Sequence, residues 1–502
     1  MDYQSLKSGS DVRGVAVGDQ AVLTCDVAEK LGRAYTRLIA RKTGKPCDRL
    51  KLAVGRDSRV TGPEIATATL TGIAKEGAEA IDYGLCTSPA MFMAIVTEGY
   101  QPDATIMITA SHQPWQMNGL KFLTREGGLG FEELNALLED VQRLPELPDA
   151  PVTLRQQSFL PAYTAHLKQL IIDGVDPEVQ KPLLGLHVVV DAGNGAGGFY
   201  ADMLEDLGAW IEGSQFLEPD GHFPNHIPNP ENPEAMASVS AAVKRVGADL
   251  GIIFDADCDR AAIVDATGKE INRNRLIAMI SAILLEDQPG ATIVTDSVTS
   301  TGLTDFIHEW GGEHYRYRRG YRNVIDEAIR LNNAGIDCPL AIETSGHAAL
   351  RQNYFLDDGM YLVTLLLIKA MQLKQQGETL SKLLEGLREP VESTEIRLPV
   401  LAKDFAACAR EAIEHVLEYA TAHEDWHIAP DNREGVRISF DEGGELSSAW
   451  FLLRLSVHDP VMPLNAESDV PGGVKAVLAR LYEVLREYEG LDLTRLKAAC
   501  EE

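Results

Sequence analysis

The chain has 502 residues, with 46 Lys and Arg against 75 Asp and Glu and a formal net charge of -29 at pH 7. That charge repels nucleic-acid phosphates and anionic lipid headgroups, so we expect neither nucleic acid nor a membrane as a partner. The length exceeds what one hydrophobic core usually supports, and 45% of the residues are hydrophobic, so we expect three or four domains.

The cysteines and the apolar segments narrow the class of protein further. The seven cysteines are scattered, odd in number and never in a CxxC pair, which favours reduced thiols over a disulfide framework or a zinc site. The N-terminus lacks the apolar segment of a signal peptide, and the most apolar later stretch, "YLVTLLLIKA", is too short to span a bilayer. We therefore expect a cytoplasmic protein.

One pattern occurs three times along the chain: a strand that ends in Asp, a helical stretch, a second strand, and a third strand followed by a polar residue. The first strands are "LKLAVGRDSR", "LHVVVDAGNGAGG" and "ATIVTDSVTSTGL", and the second strands are "EAIDYGL", "AWIEGSQF" and "EHYRYRRGYR". The third strands, "ATIMI", "DLGIIF" and "CPLAI", lead to Ser111, Asp255 and Glu343. The sequence predicts three copies of one α/β unit.

These elements predict the fold class. Near-continuous Val, Ile and Leu strands between helices are typical of mostly parallel sheets with helices on both faces. We expect three similar α/β/α domains with mostly parallel mixed sheets at residues 1–150, 151–268 and 269–391, and a smaller α+β domain at 392–502. In the last region "DFAACAREAIEHVLEYA" and "GGVKAVLARLYEVLREYEG" predict helices, and "GVRISF" with "AWFLLRLS" predicts a hairpin. Ligands lie beyond the carboxyl ends of parallel strands, so the three polar loops are expected to line one central cleft.

The first polar loop, "TASHQPWQMNGLK", contains Ser111, His112 and Lys121 around a predicted Asn-Gly turn. A serine at a strand end is most often a cap or turn residue. A lysine and a histidine held close to it also suit a nucleophile or a carrier of a phosphoryl group. The residues alone leave both interpretations open.

The second polar loop, "DADCDR", predicts a metal site. Asp255, Asp257 and Asp259 follow a strand at alternate positions and repel one another unless a cation neutralises them. An EF-hand is excluded, because Arg260 and Ala266 stand where that loop needs Gly and Glu. A small set of oxygen ligands favours Mg²⁺. The alternative is a solvated acidic turn.

The third polar loop, "ETSGH" at residues 343–347, places a carboxylate, two hydroxyls and an imidazole together, which suits sugar hydroxyls but also occurs in polar turns. Before it, "YRYRRGYRN" concentrates arginines in an acidic chain and predicts an anion site or a solvated strand edge. A later loop places Arg454, Ser456 and His458 at alternate positions, where they suit a second anion.

One motif is typical of a different class, the nicotinamide-dependent enzymes. Gly193, Gly195 and Gly198 have GxGxxG spacing after a strand, and Glu212 follows as a ribose-binding acid would. A nicotinamide enzyme is disfavoured, because the repeat assigns this loop to the second α/β unit. The sequence has no GxxxxGK[ST] phosphate loop, which disfavours a kinase or motor of that class.

Taken in order, the motifs "SGSDVRG", "GRDSR", "TASHQPWQMNGLK", "DAGNGAGG", "DGHFPNHIPNPENPE", "DADCDR", "ETSGH" and "DDG", and the loop near residue 454, resemble those of the α-D-phosphohexomutases, the phosphoglucomutase and phosphomannomutase family. The resemblance covers nearly the whole chain. It implies three similar α/β domains and a smaller fourth domain around a central cleft.

The resemblance also implies a role for each matched residue. Ser111 would be the phosphoserine and, with Asp255, Asp257 and Asp259, would bind Mg²⁺. Arg13, Arg260, His112 and Lys121 would surround it, Lys121 as a candidate general acid/base. The residues implied to bind the sugar or its distal phosphate are Glu343, Ser345, His347, Arg322, Arg454, Ser456 and His458.

The function implied is a Mg²⁺-dependent mutase of glucose and/or mannose phosphates, with glucose or mannose 1,6-bisphosphate as intermediate and activator. The alternatives are a phosphoglucosamine mutase and a non-catalytic sugar-phosphate-binding protein. The sequence departs from the family where Gly320-Tyr321 replaces Gly-His, so Lys121, Arg322 or His347 would have to replace a missing acid/base histidine. It predicts no oligomeric state.

Overall fold

The structure, a computed structural model, describes residues 2–147, 151–444, 446–456 and 459–501. The chain forms two compact units, the first containing Met1–Ile283 with Ser345–Leu384 and the second Leu284–Thr344 with Glu385–Glu502. No helix within the described ranges is long and apolar enough to cross a membrane.

The first unit begins with a mixed sheet covered by helices. Its elements are β1 Lys7–Ser8, β2 Asp11–Val15, α1 Cys25–Thr43, β3 Lys51–Arg56, α2 Gly62–Lys75, β4 Glu79–Leu85, α3 Ser88–Val96, β5 Ala104–Ile108, β6 Met117–Thr124, β7 Gly127–Gly128, α4 Phe131–Gln142 and β8 Leu154–Gln156. The strand order is β1-β2-β6-β5-β3-β4-β8, with β7 beside β6. Strands β5, β3, β4 and β8 run parallel, whereas β6 returns antiparallel to β5.

Helices α1 and α2 lie unusually close together, and two glycines permit it. A Cβ atom on Gly32 would lie 2.3 Å from the carbonyl oxygen of Thr69, and one on Gly72 would lie 2.0 Å from that of Glu29. The two helices cover the buried residues of β3 and β5, including Val54. This packing fixes the strands whose carboxyl ends lead to the first polar loop.

The second repeat follows in the same unit. Its elements are α5 Leu160–Val175, β9 Val188–Asp191, α6 Phe199–Asp206, α7 Pro233–Val246, β10 Leu250–Phe254, β11 Ala261–Asp265 and β12 Glu270–Ile271. Helix α8, Arg273–Asp287, follows and ends in the second unit. The strand order is β12-β11-β10-β9, and β9 and β10 are parallel. The strand predicted at "AWIEGSQF" is wrong, because this segment forms only two isolated bridges, from Trp210 to His187 just before β9 and from Gln215 to Asp191 at its end. A turn separates these bridges, and Gly213 there has a φ of +92°.

The third repeat has the same strand order as the first. In the second unit, β13 Thr292–Thr295, α9 Thr301–Glu309, β14 Glu313–Arg316, α10 Tyr321–Asn333 and β15 Leu340–Ile342 place β13 between two parallel neighbours, β14 and β15. Strand β3 lies in the same way between β4 and β5. In the first unit, the antiparallel pair β16 Ala348–Leu350 and β17 Leu356–Asp357 is followed by α11 Gly359–Gln375.

The C-terminal region is a separate antiparallel sheet with helices. It consists of β18 Glu392–Pro399, α12 Phe405–Thr421, β19 His427–Ile428, β20 Val436–Phe440, β21 Ala449–Leu453, β22 Val461–Ser468, α13 Gly473–Leu485 and α14 Thr494–Glu501. The order is β18-β22-β21-β20-β19, so the predicted hairpin is present as β20 and β21. The predicted fold class, α/β domains followed by a smaller α+β domain, is confirmed.

Candidate active site

Ser111 lies three residues beyond β5 and is buried, with 3% of its surface exposed. Its φ of +51° is in the left-handed region, which a residue with a side chain adopts only when its surroundings hold it there. The hydroxyl donates a hydrogen bond of 2.8 Å to Oδ2 of Asp255. The structure therefore brings the first and second polar loops together.

Lys121 reaches this site from a strand. The predicted Asn-Gly turn is wrong, because Asn118 and Gly119 lie inside β6. Glycine is required at position 119, since a Cβ atom would lie 2.4 Å from the carbonyl oxygen of Val12. Strand β6 pairs with β5 so that Lys121 is opposite Met107. The lysine that follows the serine loop thus comes back to it along the return strand.

The loop between β10 and β11 gathers three buried carboxylates. Asp255, Asp257 and Asp259 each offer an oxygen, and these atoms lie within 4.8 Å of one another. Burial raises the pKa of Asp255 to about 8, and the charges of Asp259 and Asp257 act in the same direction. Among the described residues, Oδ1 of Asp257 and Oδ1 of Asp259 have no hydrogen-bond partner although both are buried. These orphaned oxygens fit a bound cation.

Lys121 balances part of this negative charge. Its Nζ donates to Oδ2 of Asp257 at 2.8 Å and also contacts Asp259. Burial alone would lower the pKa of Lys121, but the charges of Asp257 and Asp259 raise it well above its usual value. Lys121 is therefore a cation in this arrangement.

Arg260 is the second cation beside the serine. Its Nη2 donates to Ser111 Oγ at 3.1 Å and to Oδ2 of Asp255 at 3.1 Å. The same nitrogen lies 2.5 Å from Nδ1 of His112. Burial lowers the pKa of His112 to about 2, helped by the positive charges of Arg260 and Arg13. His112 is therefore neutral, and its Nδ1 accepts from the guanidinium.

Arg13 lies on β2 opposite Gly119, and its Nη2 donates to Oδ2 of Asp11 at 3.1 Å. Its Nε is buried without a hydrogen-bond partner among the described atoms. Because its charge also acts on Lys121 and His112, Arg13 belongs to the same cationic group.

The end of the third polar loop also belongs to the first unit. His347 forms a backbone bridge with Arg260, and its Nδ1 lies 2.6 Å from Oδ2 of Asp357. His347, Asp357 and Asp259 offer ligand atoms within 4.8 Å of one another. Burial would lower the pKa of His347, but the charges of Asp357 and Asp259 raise it to about 9. Asp357 comes from the "DDG" motif, and Ser345 precedes His347 in the same unit.

Glu343 and Arg322, which the resemblance assigns to substrate binding, lie in the second unit. Glu343 is buried, and its Oε1 accepts a 2.6 Å hydrogen bond from the backbone of Gly320. Tyr321, which replaces the expected histidine, begins α10 directly after that glycine. Arg322 donates from Nε to Oδ2 of Asp326 at 3.0 Å. The solvated-edge interpretation fails for Arg316, which is buried and pairs with Asp431 at 2.7 Å.

Arg454 and Ser456 follow β21 in the second unit. Arg454 is buried, and its Nε has no hydrogen-bond partner among the residues that the structure describes. Burial lowers the pKa of Arg454, while the charge of Glu434 opposes this. The hydroxyl of Ser456 accepts from the backbone of Asp459 at 3.2 Å. His458 lies outside the described residues.

Three residues that contact the site were not predicted to belong to it. Ser88, at the start of α3, donates to Oδ2 of Asp257 at 2.5 Å, which leaves Oδ1 for another partner. Asn229 accepts from Nη1 of Arg260 at 3.3 Å, and Arg59 donates to the carbonyl oxygen of Ser111. Arg59 and Asn229 fall within the motifs "GRDSR" and "DGHFPNHIPNPENPE". Ser88 has no comparable signal, since its local sequence predicts only a helix start.

Comparisons with known proteins concern the family and the fold. Family models described as phosphoglucomutase/phosphomannomutase α/β/α domains I, II and III match residues 4–144, 161–268 and 272–391. The chain is 31% identical over 469 residues to a phosphomannomutase/phosphoglucomutase of Pseudomonas aeruginosa, covering 93% of this chain and 92% of that protein. It is 32% identical over 490 residues to a phosphomannomutase of Salmonella montevideo, covering 95% and 97%.

A solved structure gives the same result for the fold. The crystal structure of a phosphoglucomutase/phosphomannomutase family protein from Burkholderia thailandensis has a TM-score of 0.77 and 27% identity, covering 99% of this chain and 98% of that one. These matches confirm the resemblance predicted from the sequence, and with it the prediction of an isomerase. The chain belongs to the phosphoglucomutase/phosphomannomutase family.

Proposed function

We propose that the protein is a Mg²⁺-dependent phosphohexomutase that interconverts the 1-phosphates and 6-phosphates of glucose and/or mannose. Ser111 carries the phosphoryl group, and a hexose 1,6-bisphosphate is the intermediate. The observation that supports this most directly is the 2.8 Å hydrogen bond from Ser111 to Asp255, in a buried group of three carboxylates and two cations. The names of the relatives support the substrate class.

The acidic loop would hold the metal ion. Asp255, Asp257 and Asp259 supply hard oxygen ligands, and the orphaned Oδ1 atoms of Asp257 and Asp259 suit that role. An oxygen on Ser111 would be a further ligand. When bound, Mg²⁺ neutralises charge on the transferring phosphoryl group.

The cations of the chain act on the same group. Arg260 donates to Ser111 Oγ and Asp255 from one nitrogen, so its guanidinium faces the oxygen through which the phosphoryl group is attached. Arg13 and Lys121 add positive charge near this point. Positively charged groups fixed in place stabilise the charge that develops in phosphoryl transfer.

Each transfer also moves a proton. The attacking sugar hydroxyl loses one, and the departing oxygen gains one. Lys121 and His347 are the candidates for this role: each is held protonated by neighbouring carboxylates, can donate its proton to the departing oxygen, and can then take up the proton of the attacking hydroxyl. His347 is oriented by its 2.6 Å contact with Asp357 and would replace the histidine that is missing at Tyr321.

The parts of the sugar that do not react would be bound by other residues. Glu343 and Ser345 would bind its hydroxyls, Arg322 and His347 would be further substrate-binding residues, and Arg454, Ser456 and His458 would bind the phosphate that is not reacting. The bisphosphate then turns end for end and returns its other phosphate to Ser111. Two phosphate sites are needed for these steps: Arg13, Lys121 and Arg260 would serve the phosphate that reacts, and Arg454 the phosphate that does not.

The test is a mutase assay. The protein is incubated with glucose 1-phosphate, a trace of glucose 1,6-bisphosphate and Mg²⁺, and in parallel with the mannose equivalents. We expect hexose 6-phosphate, and we expect EDTA to abolish it. Ser111→Ala should abolish turnover, whereas Ser281→Ala, at a buried serine in α8, should not. No product from either sugar would leave a sugar-phosphate-binding protein as the better account.

A further inference from the structure

We infer that Arg59 positions the serine loop, residues 109–118, which contains Ser111. This inference rests on the proposed function. Arg59 closes the "GRDSR" motif after β3, and only 1% of its surface is exposed. Its Nη2 donates to the carbonyl oxygens of Ser111 and Gln113, both at 2.6 Å. Its Nη1 donates to those of Pro114 and Met117, both at 2.8 Å. One planar fork thus holds four carbonyl groups of the loop.

A second chain of hydrogen bonds fixes the backbone of the serine itself. The amide of Ser111 donates to the hydroxyl of Thr109 at 2.9 Å, and that hydroxyl donates to Oδ2 of Asp57 at 2.7 Å. Asp57 in turn accepts from the amide of Arg59 at 2.9 Å and pairs with its Nε at 3.3 Å. These bonds and those of the guanidinium hold Ser111 in its left-handed conformation.

Residues 221–223 of the second repeat pack against Arg59, its chain neighbours and the loop that contains Ser111. The ring of Phe223 lies 5.1 Å from the guanidinium carbon of Arg59. The backbone at Gly221 packs so tightly that a Cβ atom there would lie 2.3 Å from the carbonyl oxygen of Ser58. The ring of His222 lies 5.2 Å from that of Trp115, which belongs to the serine loop. Phe223 and Gly221 of the "DGHFPNH" motif thus help to cover the buried guanidinium of Arg59.

The consequence is a specific kinetic effect. Arg59→Lys retains the charge but cannot hold four carbonyl groups, because an ammonium has three donors and no fixed fork. A displaced nucleophile lowers the rate of the chemical step and leaves substrate binding unchanged. We expect kcat to fall about 100-fold with little change in KM for the hexose phosphate.

Arg33→Lys is the matched control. Arg33 is also buried in the first domain, where it donates to Glu76 and to the carbonyl oxygen of Pro145, far along the chain from the serine loop. Both variants remove a buried guanidinium, so a merely structural role predicts a loss of stability in each and no change in kcat in either. We expect Arg33→Lys to lower stability without changing kcat.

The test combines kinetics with amide hydrogen exchange of the peptide covering residues 109–118. In Arg59→Lys this peptide should exchange faster than in the wild type and in Arg33→Lys. Thr109→Val, which removes the hydroxyl that accepts from Ser111, should exchange faster at the same peptide and lose roughly tenfold in kcat. If Arg59→Lys does not fold, the exchange rate and kcat of Thr109→Val test whether this network of hydrogen bonds positions Ser111.

The inference is overturned if a folded Arg59→Lys keeps wild-type kcat, if its exchange matches that of Arg33→Lys, or if Thr109→Val behaves as the wild type. A wild-type protein without mutase activity would refute the proposed function instead. The exchange measurement would then decide the role of Arg59 alone.

Discussion

Replacing Lys121 by Met tests whether its charge holds the acidic loop together. The variant leaves Asp257 and Asp259 buried beside Asp255 without their common cation. At 2.8 Å and an effective dielectric constant of about 20, one such pair is worth about 6 kcal/mol before desolvation is subtracted. Removal of one partner from a buried ion pair usually costs about 3–5 kcal/mol. We expect a loss of that size in the free energy of unfolding in EDTA.

Lys42→Met provides the matched control. Lys42 also contacts two carboxylates, with Nζ 3.1 Å from Glu126 and 2.5 Å from Glu133, but 77% of the Glu126 side chain is exposed. Ion pairs exposed to water contribute up to about 1 kcal/mol. The two variants lose the same number of contacts, so the difference between them measures the effect of burial.

Urea unfolding of both variants, in EDTA and in Mg²⁺, is the assay. Mg²⁺ should restore more stability to Lys121→Met than it adds to the wild type, because the unbalanced carboxylates attract the cation more strongly. The mutase rate of Lys121→Met should fall as well. The reasoning is refuted if Lys121→Met in EDTA is within about 1 kcal/mol of the wild type and behaves like Lys42→Met.

Two further predictions concern a buried acid and the distal phosphate. Burial raises the pKa of Asp358 to about 6, so the native state binds its proton more tightly than the unfolded state, and this contribution to stability is present below about pH 4 and lost as the pH rises through 6. Between pH 4 and 7 the unfolding free energy of the wild type should therefore fall by up to about 3 kcal/mol relative to Asp358→Asn; parallel pH profiles would contradict this. Arg454→Lys should raise KM for hexose phosphates more than it lowers kcat, because a phosphate that does not react is bound equally in the ground and transition states. A loss confined to kcat would exclude Arg454 from that site.

The sequence was sufficient for features that depend on short segments. Buried strands consist of runs of apolar residues, and polar residues follow their carboxyl ends. The loops at Ser111 and Asp255 could therefore be located without coordinates. The strand β6 was missed because Asn118-Gly119 has the composition of a turn, whereas the close approach of the carbonyl oxygens of Val12 and Thr109 explains the glycine. The prediction relied on local composition, whereas tertiary packing determines the residue at this position.

Contacts between distant segments could not be predicted in the same way. Ser88 and Asp257 are far apart along the chain, and their 2.5 Å hydrogen bond depends on how two sheets of the first unit pack. The same holds for the fork of Arg59, whose four acceptors are backbone carbonyls and therefore leave no trace in residue type. Both sets of contacts depend on long-range packing, which short sequence patterns do not indicate.

The phosphate on Ser111 tests the central claim most directly. The protein is treated with glucose 1,6-bisphosphate and Mg²⁺, freed of sugar, and mapped by peptide mass spectrometry before and after addition of a hexose 1-phosphate. We predict that the peptide containing Ser111 carries a phosphate before the addition, and that this phosphate is transferred to the sugar as hexose bisphosphate. Hexose 6-phosphate formed while Ser111 never carries phosphate, or a phosphate that stays on Ser111 when the sugar is added, would contradict the account.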